Sequence, residues 1–115
     1  MARIITTEEL AQSLQQNAAV QFWNVLTDDY FTGEMLPGSE RVPVDRVGKH
    51  AATLALPKDA EIIVYCLGPS CPQSGDAARK LTTLGYTNVL AYEGGLEEWK
   101  ASGRKIVRVS DQKVA

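Results

Sequence analysis

The 115-residue sequence predicts an α/β domain built on a central, mostly parallel sheet flanked by helices. Three observations carry this reading. Short β-rich runs alternate with helical stretches along the chain, which implies right-handed βαβ units. The run Ile62-Ile63-Val64-Tyr65 is uninterrupted and apolar, as a strand covered on both faces must be. The composition, 44% hydrophobic and 23% charged, is that of an ordinary globular domain with one core. A single domain is therefore expected over residues 1–115, with a core of about 4–105 and a short tail at 106–115.

The elements follow in order. Thr6 or Thr7 caps a first helix, with Glu9 at capping-box spacing from Thr6. Leu10 and Leu14 share a face of it, and Asn17 stops it. Val20 to Val25 is β-branched and aromatic and reads as a strand. Thr27-Asp28-Asp29 looks like the start of a short helical turn through Tyr30 and Phe31. Gly33, Pro37 and Gly38 punctuate a loop, and Arg41-Val42-Pro43 is a short or edge strand. Val44 to Leu56 reads as helical, and Pro57-Lys58-Asp59 as a turn. After the strand Ile62–Tyr65 comes a Gly/Pro-rich loop, then a helix capped by Ser74 and running to about Leu84. Ala77, Leu81 and Leu84 form its expected buried stripe, and Gly85 is suited to the position just past its end. Asn88 to Tyr92 is a further strand, Gly94-Gly95 a turn, and Leu96 to Ala101 a last helix.

Charge excludes some functions. Twelve Lys and Arg against fourteen Asp and Glu leave a net charge of −2, without the basic excess of a nucleic-acid binder. Lys100, Arg104, Lys105, Arg108 and Lys113 lie towards the C-terminus among acids and read as a solvated end. The first nine residues hold too few apolar side chains for a secretory signal, and no apolar run is long enough to cross a bilayer. A cytoplasmic protein with reduced thiols is expected, with neither nucleic acid nor membrane as partner. Two cysteines and one distant His50 do not make a structural zinc site, so no metal or cofactor is expected.

The chemistry gathers at Cys66-Leu67-Gly68-Pro69-Ser70-Cys71-Pro72-Gln73-Ser74. In open α/β sheets, ligands bind beyond the carboxyl ends of the strands, and Cys66 is the first residue after the clearest strand. Loop amides and a helix N-terminus can converge there on negative charge. A thiolate in that place should have a pKa below that of a free thiol and act as a nucleophile. Residues 67–70 and 72–74 would form the substrate-binding loop. Cys71 is either a resolving thiol for Cys66 or a side chain of little chemical consequence. Trp23 and Trp99 read as core.

At this loop the chain resembles the rhodanese-like, or sulfurtransferase, domain family. The residues that carry the resemblance are Ile5-Thr6-Thr7-Glu8-Glu9-Leu10, then Leu36-Pro37-Gly38-Ser39 with Arg41-Val42-Pro43. Stronger still are Ile63-Val64-Tyr65-Cys66, Leu84-Gly85-Tyr86-Thr87-Asn88-Val89, and Tyr92-Glu93-Gly94-Gly95-Leu96-Glu97-Glu98-Trp99. Each is weak alone, but their order and spacing are specific. The resemblance implies a three-layer domain in which Cys66 accepts a sulfane sulfur from thiosulfate, polysulfide or a persulfide. The resulting persulfide would pass its sulfur to cyanide or a thiol, or exchange it with a sulfur-delivering or thioredoxin-like protein.

The chain also departs from the family pattern. Asn24-Val25-Leu26 stands where Asp-Val-Arg is usual, and Gly33-Glu34-Met35-Leu36 stands where Gly-His precedes Pro-Gly, with one extra residue. The cysteine loop is about two residues longer than is common and holds no Lys or Arg between Cys66 and Ser74. It is similar to a subgroup whose loop reads Cys-x-x-x-x-Cys followed by Ser. A doubly charged donor would meet only amide dipoles there, and the larger loop suits a different or bulkier donor. Three other readings compete with transfer. One is a redox or persulfide-relay protein that closes a Cys66–Cys71 disulfide. Another is a non-catalytic module. The third, a phosphatase or arsenate reductase, lacks the guanidinium that would spread charge over the equatorial oxygens.

Overall fold

The computed structural model describes residues 3–16 and 20–108. Asn17 and Lys113, both singled out in the sequence, lie outside the described residues. The strands are β1 (Arg3–Ile4), β2 (Gln21–Asn24), β3 (Glu34–Met35), β4 (Glu40–Arg41), β5 (Ile62–Tyr65), β6 (Val89–Tyr92) and β7 (Val107–Arg108). The helices are α1 (Thr7–Gln16), α2 (Val47–Thr53), α3 (Gln73–Thr83) and α4 (Gly95–Ala101), with a 3-10 turn at Val44–Arg46 before α2.

Five strands form one sheet in the order β1-β6-β5-β2-β4, and all four pairings in it are parallel. β5 is the middle strand, and all four of its residues are buried. The pleat divides the sheet's side chains between two helical layers. Trp23 on β2 meets His50 of α2 edge-on, while Tyr92 on β6 meets Trp99 of α4 and bonds Thr7 of α1. Trp23 is in register with Val64 and Ala91, and Asn24 with Tyr65 and Tyr92, so these two rows face opposite ways. The result is the expected three-layer α/β architecture, with both tryptophans in the core.

Local chemistry accounts for two of the helix ends. The Thr6 hydroxyl accepts from the Glu9 amide at 3.1 Å, and the Glu9 carboxylate accepts from the Thr6 amide at 3.0 Å, so the capping box forms as read. Helix α3 ends at Gly85 (φ +101°), whose amide reaches Thr82 O while Tyr86 N reaches Leu81 O.

Several expectations are corrected. Leu84 is not in the buried stripe of α3; it is half exposed, and Ala78 is buried beside Ala77 and Leu81 instead. Ser74 does not cap α3. The helix starts at Gln73 after Pro72, which places Ser74 inside the first turn, and no side chain caps this end. Thr27–Tyr30 is a single hydrogen-bonded turn rather than a helix start. The strands β3 and β7 pair antiparallel in a small second sheet that no sequence pattern announced.

Candidate functional site

Cys66 leaves the end of β5 and is fully buried. Its backbone is clamped by α4. The Leu96 and Glu97 amides, which have no partner within their own helix, donate to Cys66 O and Leu67 O at 3.1 and 2.9 Å. This contact explains Gly95. Its φ is +60°, and a Cβ there would lie 2.5 Å from Cys66 O and 2.9 Å from Gly68 N. The sheet end, the cysteine loop and α4 are therefore one packed unit.

The loop itself folds back. The Cys71 amide donates to Gly68 O at 3.0 Å, and the Cys66 thiol donates to Cys71 O at 3.4 Å. Both cysteines are free, with Cys71 partly exposed. Pro69 and Ser70 are exposed at the turn, Gly68 is buried, and Leu67 packs partly against the core. Gln73 does not face a vacant loop. Its side-chain oxygen accepts from Thr27 N at 3.0 Å and its nitrogen donates to Thr27 Oγ1 at 2.9 Å, which ties the start of α3 to the turn after β2.

The electrostatics at Cys66 reverse the expected shift. Its pKa is pushed up from an ordinary 9.0 to about 11, first by burial and then by the neighbouring Cys71 side chain. The Ser74 hydroxyl and amide act in the opposite, anion-favouring direction but do not prevail. The Ser74 hydroxyl is itself buried and has no hydrogen bond of ordinary geometry. A strand-end position supplied the dipoles that sequence reasoning counted, but the packing removed more hydration than those dipoles replace.

Beside Cys71 lies a hollow of about 300 Å³, lined by Leu26, Tyr30, Leu67, Ser70, Cys71, Pro72 and Gln73. Leu26 and Tyr30 come from the β2 end of the sheet; the sequence marked Leu26 only as a departure from the family pattern and Tyr30 only as part of a turn, and neither as a site residue. The only signal for them was the rule that several strand ends share one ligand site. Nearby, Asn24 is buried and its side-chain oxygen accepts from Leu26 N at 3.1 Å. Arg41 donates to Leu26 O at 2.7 Å, to Asn24 O at 3.2 Å and to Asp28 at 2.7 Å, with its guanidinium over the Phe31 ring. Burial lowers the Arg41 pKa, with Asp28 acting against that shift. The substitution at Asn24 thus puts a neutral amide, not a carboxylate, into the buried corner beside this arginine.

His50 packs on Trp23 with Nε2 3.4 Å from a Glu40 oxygen. Among the described residues, no three Cys, His, Asp or Glu side chains are grouped to hold a metal. No helix among them is long and apolar enough to cross a membrane.

Comparison with known proteins agrees with this fold. The family model described as Rhodanese-like domain matches residues 6–102. An uncharacterized protein of Synechocystis sp. is 27% identical over 104 residues, which cover 90% of this chain and 56% of that protein. The chain thus spans little more than half the length of that relative. Among solved structures, the rhodanese-like domain of an Anabaena sp. protein superposes with a TM-score of 0.80 at 23% identity, covering 99% of this chain and 85% of that one. A thiosulfate sulfurtransferase from Pseudomonas aeruginosa gives 0.77 at 22% identity, covering 93% of this chain and 20% of that one.

Proposed function

The chain belongs to the rhodanese-like domain family, and on that premise we propose that it transfers sulfane sulfur through a persulfide on Cys66. The observation that supports this best is the placement of Cys66. It follows the end of the middle strand, under a clamped loop, with the buried Ser74 hydroxyl and the Ser74 amide acting on its sulfur.

In the first step the Cys66 sulfur attacks the outer sulfur of a donor R–S–S–H. A new S–S bond forms at Cys66, the donor's S–S bond breaks, and R–S⁻ leaves with the proton that Cys66 gives up. In the second step cyanide or a thiolate attacks the outer sulfur, and Cys66 is regained. No net oxidation occurs. Ser74 stabilises the negative charge on sulfur in both steps. Burial holds Cys66 as the thiol at rest, so in this reading its proton leaves as the new S–S bond forms.

The test is thiocyanate formation from a persulfide or thiosulfate with cyanide as acceptor. Cys66→Ser should abolish it and Cys71→Ser should spare it. A protein inert with every donor sinks this reading and leaves a non-catalytic module. A second reading has one observation in its favour, the Cys66 thiol lying against Cys71. In it, the Cys71 thiol attacks the inner sulfur of the Cys66 persulfide, forming a disulfide and releasing hydrogen sulfide. Intact mass lower by two hydrogens after donor treatment, requiring both cysteines, would establish it.

A further inference from the structure

We propose that the donor this site takes is a persulfide carried on an uncharged, apolar organic group, which docks in the hollow beside Cys71. The inference rests on the transfer reading above and names the substrate class that reading leaves open.

The hollow's walls are Leu26, Tyr30, Leu67 and Pro72, and among the described residues no charged side chain lines it. The loop between Cys66 and Ser74 contains no Lys or Arg. The cation of this corner, Arg41, already serves Asp28 and the carbonyls of Asn24 and Leu26. Gln73, the amide side chain at the hollow, spends both its oxygen and its nitrogen on Thr27. A thiosulfate entering here would give up hydration of two charges and meet no counter-ion. An apolar group loses nothing comparable and gains by leaving water.

A volume of about 300 Å³ admits a body of benzyl size. Cys71 lines the same hollow, and its carbonyl holds the Cys66 thiol at 3.4 Å. A donor seated there lies on the Cys71 side of the loop; Cys66 is buried and does not line the hollow, so the loop must shift for the donor's sulfur to reach it. Burial of an aryl face corresponds to a preference of roughly 10- to 100-fold over a donor with no apolar body.

The experiment compares kcat/KM for benzyl hydropersulfide, methyl hydropersulfide and thiosulfate, with cyanide as acceptor and the Cys66→Ser rate subtracted as background. Benzyl should exceed methyl at least tenfold and exceed thiosulfate by more. Tyr30→Ser, at a side chain 63% exposed and so not needed by the core, should narrow the benzyl-to-methyl ratio to within about threefold. Equal benzyl and methyl values, a ratio untouched by Tyr30→Ser, or thiosulfate as the best donor would overturn the donor class while leaving transfer intact. Turnover of none of the three would remove the transfer reading itself, and this proposal with it.

Discussion

Cys66 and Cys71 sit five positions apart in one loop, yet their environments differ. Cys66 is sealed and its pKa is raised to about 11, while Cys71 is partly exposed at the hollow. Burial keeps the sealed Cys66 thiol protonated near neutral pH, while Cys71 is partly exposed, so iodoacetamide should label Cys71 first. In Cys71→Ser the Cys66 rate should climb with pH towards a midpoint well above 9, and a midpoint at or below 9 would contradict the buried geometry. Ser74→Ala removes a hydroxyl that favours the anion, so that midpoint should rise further and sulfur transfer should slow by about tenfold. The raised pKa also links to stability. Between about 9 and about 11 the unfolded chain has lost the Cys66 proton and the folded one keeps it, so stability falls as pH rises through this window. Below pH 9 the contribution is fully present. The sequence made the position of Cys66 legible, because an apolar strand running into a Gly/Pro loop has a local signature. It did not make the burial legible, because that depends on α4 closing over the loop from some thirty residues away.

Three helices end in the same way, with an amide returning to the last turn from a residue of positive φ. Gly85 closes α3 and Gly103 closes α4. Helix α2 closes on Ala55, whose φ is +53° and whose amide reaches Ala52 O while Leu56 N reaches Ala51 O. A Cβ in that region costs about 1 kcal/mol that glycine avoids. Ala55→Gly should therefore raise stability by up to about 1 kcal/mol, read as an increase in Tm of a few degrees. No increase would mean that the unfolded chain's added freedom cancels the relief. Gly95→Ala should do the opposite. Its Cβ meets the Cys66 carbonyl and the Gly68 amide, so a loss of about 2–4 kcal/mol is expected, together with faster labelling of Cys66 as the clamp opens. Gly85 was readable because a helix stop and a glycine coincide in sequence. Ala55 was not, since alanine normally argues for continuing a helix. Leu84 misled for a related reason. It holds the right spacing on α3, but the chain turns at Gly85 before that position meets the core.

At the scale of the molecule, the parallel sheet was legible because β5, and β6 beside it, are runs of period-free apolar residues, and only a doubly covered sheet requires that. The second sheet was not legible. β3 and β7 are two residues each, too short to carry any period, and their pairing joins Glu34–Met35 to Val107–Arg108 across most of the chain. Beside the strand pairing, a charge meets that closure at one point. The Glu34 carboxylate, mostly buried, takes Lys100 of α4 at 2.9 Å and Arg108 of β7 at 3.2 Å, while its carbonyl faces the Asn24 amide of β2 at 3.4 Å. Glu34 thus joins the small sheet to the helix that clamps Cys66. Both cations are substantially exposed, so solvent screens each pair and the pairing should contribute modestly. Glu34→Gln keeps the shape and removes the charge. It should lower stability by about 1 kcal/mol in urea at low salt, with an unchanged m-value because the five-stranded sheet still unfolds as a unit. The deficit should shrink towards zero at 1 M salt, where the Debye length falls to about 3 Å. A deficit that persists undiminished in high salt would mean that Glu34 acts by packing and not by charge, and the ion pairs would then have no part in holding the second sheet closed.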